Sequence, residues 1–251
     1  YKNKTWIFHN SDDNFDLKRK EKLEFFKPRK CFSQNLIISK KKYNFIPIGL
    51  ENQKFHNHGE VKDFFRLREK KIIKKPRVLF GFNITNKKRI IIKSQLKKLP
   101  ICDETEGWNS YYYRRILLKY MFVSCPEGNG IDTHRTWEAL YAGSIPITRK
   151  HVGSSCLEGL SAIVLDDFNQ INSELINKEY DTNQNKEKLS LDYWMQIIKK
   201  NEINSSNYIQ YELSIEQIDK IKENYYKALK NESRIKKLKI FQRKLINKLN
   251  F

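Results

Sequence analysis

The chain has 251 residues, 39% of them hydrophobic, enough to bury one large core or two modest ones, which excludes an extended, solvated tail. Its 49 Lys and Arg against 29 Asp and Glu give a formal charge of +20, a balance that favours phosphorylated, nucleic-acid or anionic-membrane partners. The excess is mostly lysine dispersed among Asn- and Ile-rich segments, so it singles out none of them.

No apolar run approaches the roughly 20 residues that cross a bilayer. The four cysteines, Cys31, Cys102, Cys125 and Cys156, contain no Cys-x-x-Cys pair and support neither a zinc site nor a disulfide framework. A reducing compartment is the simpler reading.

TWIFHN, Thr5 to Asn10, reads as an apolar strand ending at Asn10-Ser11-Asp12-Asp13, a cluster that favours a turn or a helix cap. Punctuation is one use of these residues. The other is catalytic: Asp12 or Asp13 lies at the carboxyl end of a strand, where α/β proteins bind ligands, and is a candidate general base. Leu17 to Lys27, charged with spaced Leu and Phe, predicts a helix stopped by Pro28. CFSQNLII and NFIPIGLEN predict two further strands around the basic turn Lys40 to Lys42, and Gly49 allows a sharp chain reversal. His56 and His58 alternate in a polar loop with no third ligand and are expected to be surface residues, not a metal site. Val61 to Lys75 is strongly basic and precedes Pro76, so the interdomain linker is expected there.

Arg77 to Phe82 predicts a buried strand. FNITNKKR, Phe82 to Arg89, then gives an Asn- and Thr-rich turn feeding a helix. Asn83, Asn86 and Arg89 are either ordinary cap and surface residues or contacts to a phosphate or sugar. Ile90 to Leu99 and Ser110 to Tyr120 predict helices, the second with Tyr112, Ile116 and Tyr120 on a stripe expected in the core. Next comes a strand, loop, helix, strand unit: Met121 to Val123, the Gly- and Asn-containing loop Pro126 to Gly130, a helix from about Asp132, and Ser144 to Ile147. Asp132 or Thr133 is expected to cap this helix, Trp137, Leu140 and Tyr141 to form its apolar stripe, and Gly143 to end it in the left-handed region. On its other stripe His134 or Arg135 and Glu138 project together. They are a solvated ion pair or a site in which the helix N-terminus and Arg135 take phosphate oxygens and Glu138 takes vicinal hydroxyls.

SAIVLD, Ser161 to Asp166, predicts another buried strand after the connecting HVGSSCLEGL. Ile171 to Leu189 is polar and Asn- and Lys-rich, read as a helix and loop. Ser214 to Leu249 carries Ile215, Ile218 and Ile221 at helical spacing among lysines and predicts one or two amphipathic helices, suited to packing on the first domain or to a membrane surface or nucleic acid.

The run CPEGNGIDTHRTWEALYAGSIPI, Cys125 to Ile147, resembles the donor-binding signature of exostosin-like (GT47-like) glycosyltransferases of the GT-B type, in which a Gly-containing loop, an Arg and a Glu before a Gly-x-Ile-Pro strand hold a nucleotide sugar. HNSDDNF, CFSQNL, IPIGLEN and FNITNKKR extend the resemblance over roughly the first two-thirds of the chain. It implies a GT-B-like α/β fold of two Rossmann-like halves with parallel sheets and a C-terminal helical tail. Residues 1–75 would be the end of a truncated acceptor-side half, since a GT-B enzyme normally has more sequence before TWIFHN and the chain starts at Tyr1. Residues 76–212 would bind the nucleotide sugar, and 213–251 would be the tail.

The implied activity is metal-independent transfer of a sugar from a nucleotide sugar, UDP-linked in the favoured reading, to a hydroxyl of a glycan or glycoconjugate, with no further cofactor. Arg135, helped by Arg89 and the helix N-terminus, would stabilise the leaving diphosphate, and Glu138 would hold donor hydroxyls. Asn83, Asn86, Asn129, Gly130, Asp132 and Thr133 would shape the donor site, with Asn35 and Gly49 to Asn52 near the cleft. A GDP-sugar donor, as in fucosyltransferases with a comparable pattern, is an alternative. From another class, a basic nucleic-acid-binding protein is the competitor, but the chain has no helix-turn-helix, zinc-finger or RNP signature, so no specific nucleic-acid partner is expected. Membrane contact through the basic C-terminal helices stays open, and the cytoplasmic face is the expected location, with any anchor outside this sequence.

Overall fold

Short runs of Val, Ile and Phe, separated by turns and helices, build two sheets in which every strand pairing is parallel. The computed structural model describes residues 3–9, 13–51, 64, 72–105, 110–180 and 186–200. The chain divides into one unit, Tyr1–Asn204, and a second, Ser205–Phe251. Asp12, Asn52, His56, His58, most of the expected linker and the C-terminal tail lie outside the described residues.

The first sheet is β1 (Thr5–Phe8), β2 (Lys30–Ser33) and β3 (Tyr43–Phe45), side by side in that order. Between β1 and β2 runs α1 (Leu17–Glu24), opened by Asp16, whose carboxylate accepts from the Arg19 amide at 3.0 Å. β2 stops earlier than the apolar run CFSQNLII suggests, because Gln34 and Asn35 turn out of the sheet, Asn35 in the left-handed region at φ 51°. Asn tolerates this conformation better than most residues do.

The second sheet holds β4 (Lys75–Phe80), β5 (Cys102–Glu104), β6 (Tyr120–Ser124), β7 (Ile145–Arg149) and β8 (Ile163–Leu165), in the order β5-β4-β6-β7-β8. Val78 and Leu79, like Phe122 and Val123, point to opposite faces, yet all four are fully buried. Both faces are therefore covered, as parallel strands require. Helices α2 (Lys87–Lys97), α3 (Ser110–Leu117) and α4 (His134–Tyr141) make the crossovers, and α5 (Ser173–Asn177) and α6 (Leu191–Lys200) follow β8. Alternation of this kind is Rossmann-like, and the chain is an α/β protein.

Three local expectations are corrected. Tyr120 does not continue α3 but opens β6, and the buried face of α3 is carried by Tyr113 and Leu117, with Tyr112 61% exposed; three consecutive tyrosines fit either phase of a helical stripe, and packing on the sheet selected the second. Thr133 occupies the cap position of α4 without a side-chain cap bond. The edge strand β5 and the helix α6 were not foreseen. Gly143 does end α4 in the left-handed region, at φ 69°, and Gly49 reverses the chain at φ 67°.

Candidate functional site

Strand order in the second sheet reverses beside β4: the chain steps outward to β5, then returns to the other side of β4 as β6. The loops leaving β4 and β6 consequently diverge, and the point between the carboxyl ends of those strands, called the crevice below, is where open α/β sheets bind ligands. Residues 81–86 form one lip. Residues 125–133 form the other and run into the N-terminus of α4.

Arg89 joins the two lips. It is only 8% exposed, and its guanidinium donates to three main-chain carbonyls: Asn83 O (2.8 Å), Glu127 O (2.9 Å) and Pro126 O (3.1 Å). Asn86 works beside it, capping α2 through the Arg89 amide and donating to Gly128 O at 2.8 Å. Burial, aided by the charge of Arg135, pulls Arg89 down from its ordinary 12.5 to about 10. Glu127 adds a carboxylate that meets Lys88 at 2.9 Å and Arg149 at 2.6 Å, cations supplied after β4 and at the end of β7.

At the second position of α4, half-buried Arg135 donates to the Tyr113 hydroxyl at 3.0 Å and stacks on that ring, 4.8 Å from its centroid. Glu138 lies deeper, 4% exposed, hydrogen-bonded to Tyr113. Burial pushes its carboxyl up to about 7, opposed by the Arg135 charge and reinforced by Glu51. Arg135 and Glu138 are therefore not a pair on a solvated helix face. Among the described residues no group of three or more His, Cys, Asp or Glu is placed to share a metal ion.

The remaining predicted residues fall around the same lip. Asn83 and Asn129 are exposed, Asn86 and Thr133 half-buried, Gly130 and Asp132 buried. Asp132 is a fastening point: its carboxylate accepts from the Ile48 amide at 2.8 Å and from the Trp137 indole at 3.0 and 3.1 Å. Burial still pushes it up to about 6. The loops after all three strands of the first sheet reach this lip. Asn14 accepts from the Ile131 amide (3.2 Å), Asn35 accepts from the Asp132 amide (2.9 Å), and Gly49 O bonds His134 Nδ1 at 2.8 Å. Both sheets thus turn their carboxyl edges toward one loop. The approach leaves no room at Gly130, where an added Cβ would sit 2.4 Å from the Asn35 side chain.

Sequence reasoning singled out neither Tyr113, Glu127 nor Asn14. Glu127 was open to discovery as the acid inside the Gly-containing loop; Tyr113 required the phase of α3, and Asn14 required the tertiary contact itself. Compared with known proteins, the chain matches no protein-family model and no curated protein.

Proposed function

We propose that the chain is a glycosyltransferase of the GT-B type, which moves a sugar from a nucleotide sugar, UDP-linked in the favoured reading, to a hydroxyl of a glycan or glycoconjugate. The observation that carries this reading is the meeting of two parallel sheets, carboxyl edge to carboxyl edge, over a loop that leads into a helix N-terminus and Arg135. A donor diphosphate fits such a crevice, since amides at the start of α4 and the Arg135 guanidinium both favour negative charge there.

In the transfer, the acceptor oxygen bonds to the anomeric carbon as the bond from that carbon to the diphosphate oxygen breaks. The electron pair leaves with the diphosphate, and the acceptor proton goes to a base. Charge grows on the diphosphate, so Arg135 acts where stabilisation is worth most. Tyr113 and Glu138 orient Arg135 from beneath. Only its small exposed edge lets Glu138 reach donor hydroxyls. Arg89 has a different task, bracing the two lips through their carbonyls. Asp12, the candidate base, lies outside the described residues.

Calorimetry with UDP and GDP, followed by turnover of the nucleotide sugar that binds, tests the reading. Arg135→Ala is expected to lower turnover by roughly 100- to 1000-fold with an unchanged melting curve. Arg89→Ala is expected to act through stability, losing about 2–4 kcal/mol because a nearly buried guanidinium and the three main-chain carbonyls it joins lose their bonds. Near-normal nucleotide binding and turnover in Arg135→Ala would sink the assignment.

A further inference from the structure

Residues 47–51, the segment after β3, have two sides. One bears the Ile48 amide and Gly49 carbonyl that hold the start of α4. The other closes a cavity of about 580 Å³, lined by Gly49, Leu50 and Glu51 of the predicted cleft segment but by neither Arg135 nor Glu138, and bounded by the end of β1, the Trp137 and Tyr141 face of α4, and α6. Leu191, Trp194, Met195 and Ile198 of α6 follow helical spacing and all face it.

Several polar groups in this wall are already engaged within the protein. The Trp194 indole donates to Lys188 O at 2.8 Å, the Trp137 indole to Asp132, the Tyr141 hydroxyl to Leu189 O, and His9 Nε2 to Pro47 O at 3.2 Å; Lys188 Nζ donates to Glu158 O at 2.6 Å. Beside the Glu51 carboxylate, what the cavity presents is chiefly ring faces and aliphatic carbon. Its rim is apolar too: Ile7 is 50% exposed, Leu191 75% and Met195 38%. Volume and lining match those of sites for small apolar ligands. The orientation follows from Glu51, which lines the cavity at the end of the segment whose Ile48 amide and Gly49 carbonyl hold the start of α4.

We propose that this cavity binds the alkyl or aryl part of an amphipathic acceptor, whose hydroxyl-bearing head lies at Glu51. The word acceptor rests on the glycosyltransferase reading; the apolar-ligand site does not.

The test is calorimetry of the full chain with n-octyl β-D-glucoside below its micellar concentration, methyl β-D-glucoside, UDP and GDP, on the wild type, Met195→Glu and Met195→Trp. The octyl glycoside is expected to bind about tenfold or more tightly than the methyl glycoside. A charge in the cavity or an indole filling it should each abolish that preference, and both are placed at a partly exposed residue so that one folded variant suffices. Equal affinities in the wild type, or a preference that survives the substitution in a folded variant, overturn the proposal. The nucleotides separate the two readings. An alkyl preference with binding of neither UDP nor GDP overturns the acceptor assignment and the glycosyltransferase reading while upholding the apolar site; binding of either nucleotide without the preference overturns the site alone.

Discussion

Glu138 is a carboxyl group held where its charged form is disfavoured, and its titration is therefore a stability signal. Burial raises it to about 7 from an ordinary 4.5. Between those two values the folded state holds more protons than the unfolded one, so this group's contribution to stability falls as pH rises through the window; at pH 4.5 and below it imposes no penalty. Asp132, pushed from 3.8 up to about 6, acts in the same direction at lower pH. Glu138→Gln keeps the shape and removes the charge. It should gain on the wild type by up to about 3 kcal/mol at pH 8 and by almost nothing at pH 4.5. Urea melts at the two pH values measure this. A difference between the two proteins that does not change with pH would mean that Glu138 titrates as an exposed acid.

At the scale of elements, the β6–α4 loop matters more than any helix, because everything placed at the crevice depends on it. Gly130 packs on Asn35, and Asn35 in turn accepts from the Asp132 amide. Gly130→Ala should therefore cost roughly 1–3 kcal/mol, as overpacking does. Removing the obstructing side chain with Asn35→Gly, which also suits the left-handed backbone there, should make the double variant less destabilised than the sum of the two single ones. Simple additivity in chemical denaturation would show that the two loops are not in contact. The same loop marks the reach of sequence reading. Its order of strand, loop, helix and strand was legible, since β6 and β7 are apolar runs bounded by Gly, Asn and Asp. Arg135 and Glu138 were legible as a pair on one stripe. Their burial was not, because it is created by Tyr113 on another helix. Arg89 was read as a ligand contact or an ordinary surface residue, and only the carbonyls around it reveal the brace. β5 is three half-buried residues, Cys-Asp-Glu, without strand character, and α6 falls between the polar segment ending at Leu189 and the tail from Ser214, a stretch given no assignment although LDYWMQIIKK is amphipathic.

At the scale of the whole molecule, a charge of +20 attracts any polyanion, but attraction by dispersed lysines is not recognition. Binding to duplex DNA should show no sequence preference and should weaken roughly 10- to 1000-fold between about 50 and 200 mM salt, as counterion release dictates. Filter binding or anisotropy with two unrelated duplexes checks this, and a salt-resistant, sequence-selective complex would favour the nucleic-acid reading instead. The contacts that fasten the crevice have an effect of another kind. Asp132 meets Ile48 and Asn35 across 84 and 97 residues of chain, and Ile131 meets Asn14 across 117. Contacts this distant along the chain carry a large loop-closure cost and form slowly. Each sheet is able to pair its own strands before the other, yet the lip bearing Arg135 is fastened only when the two have met. The loop that leads into α4 is thereby completed last, as these long loops close.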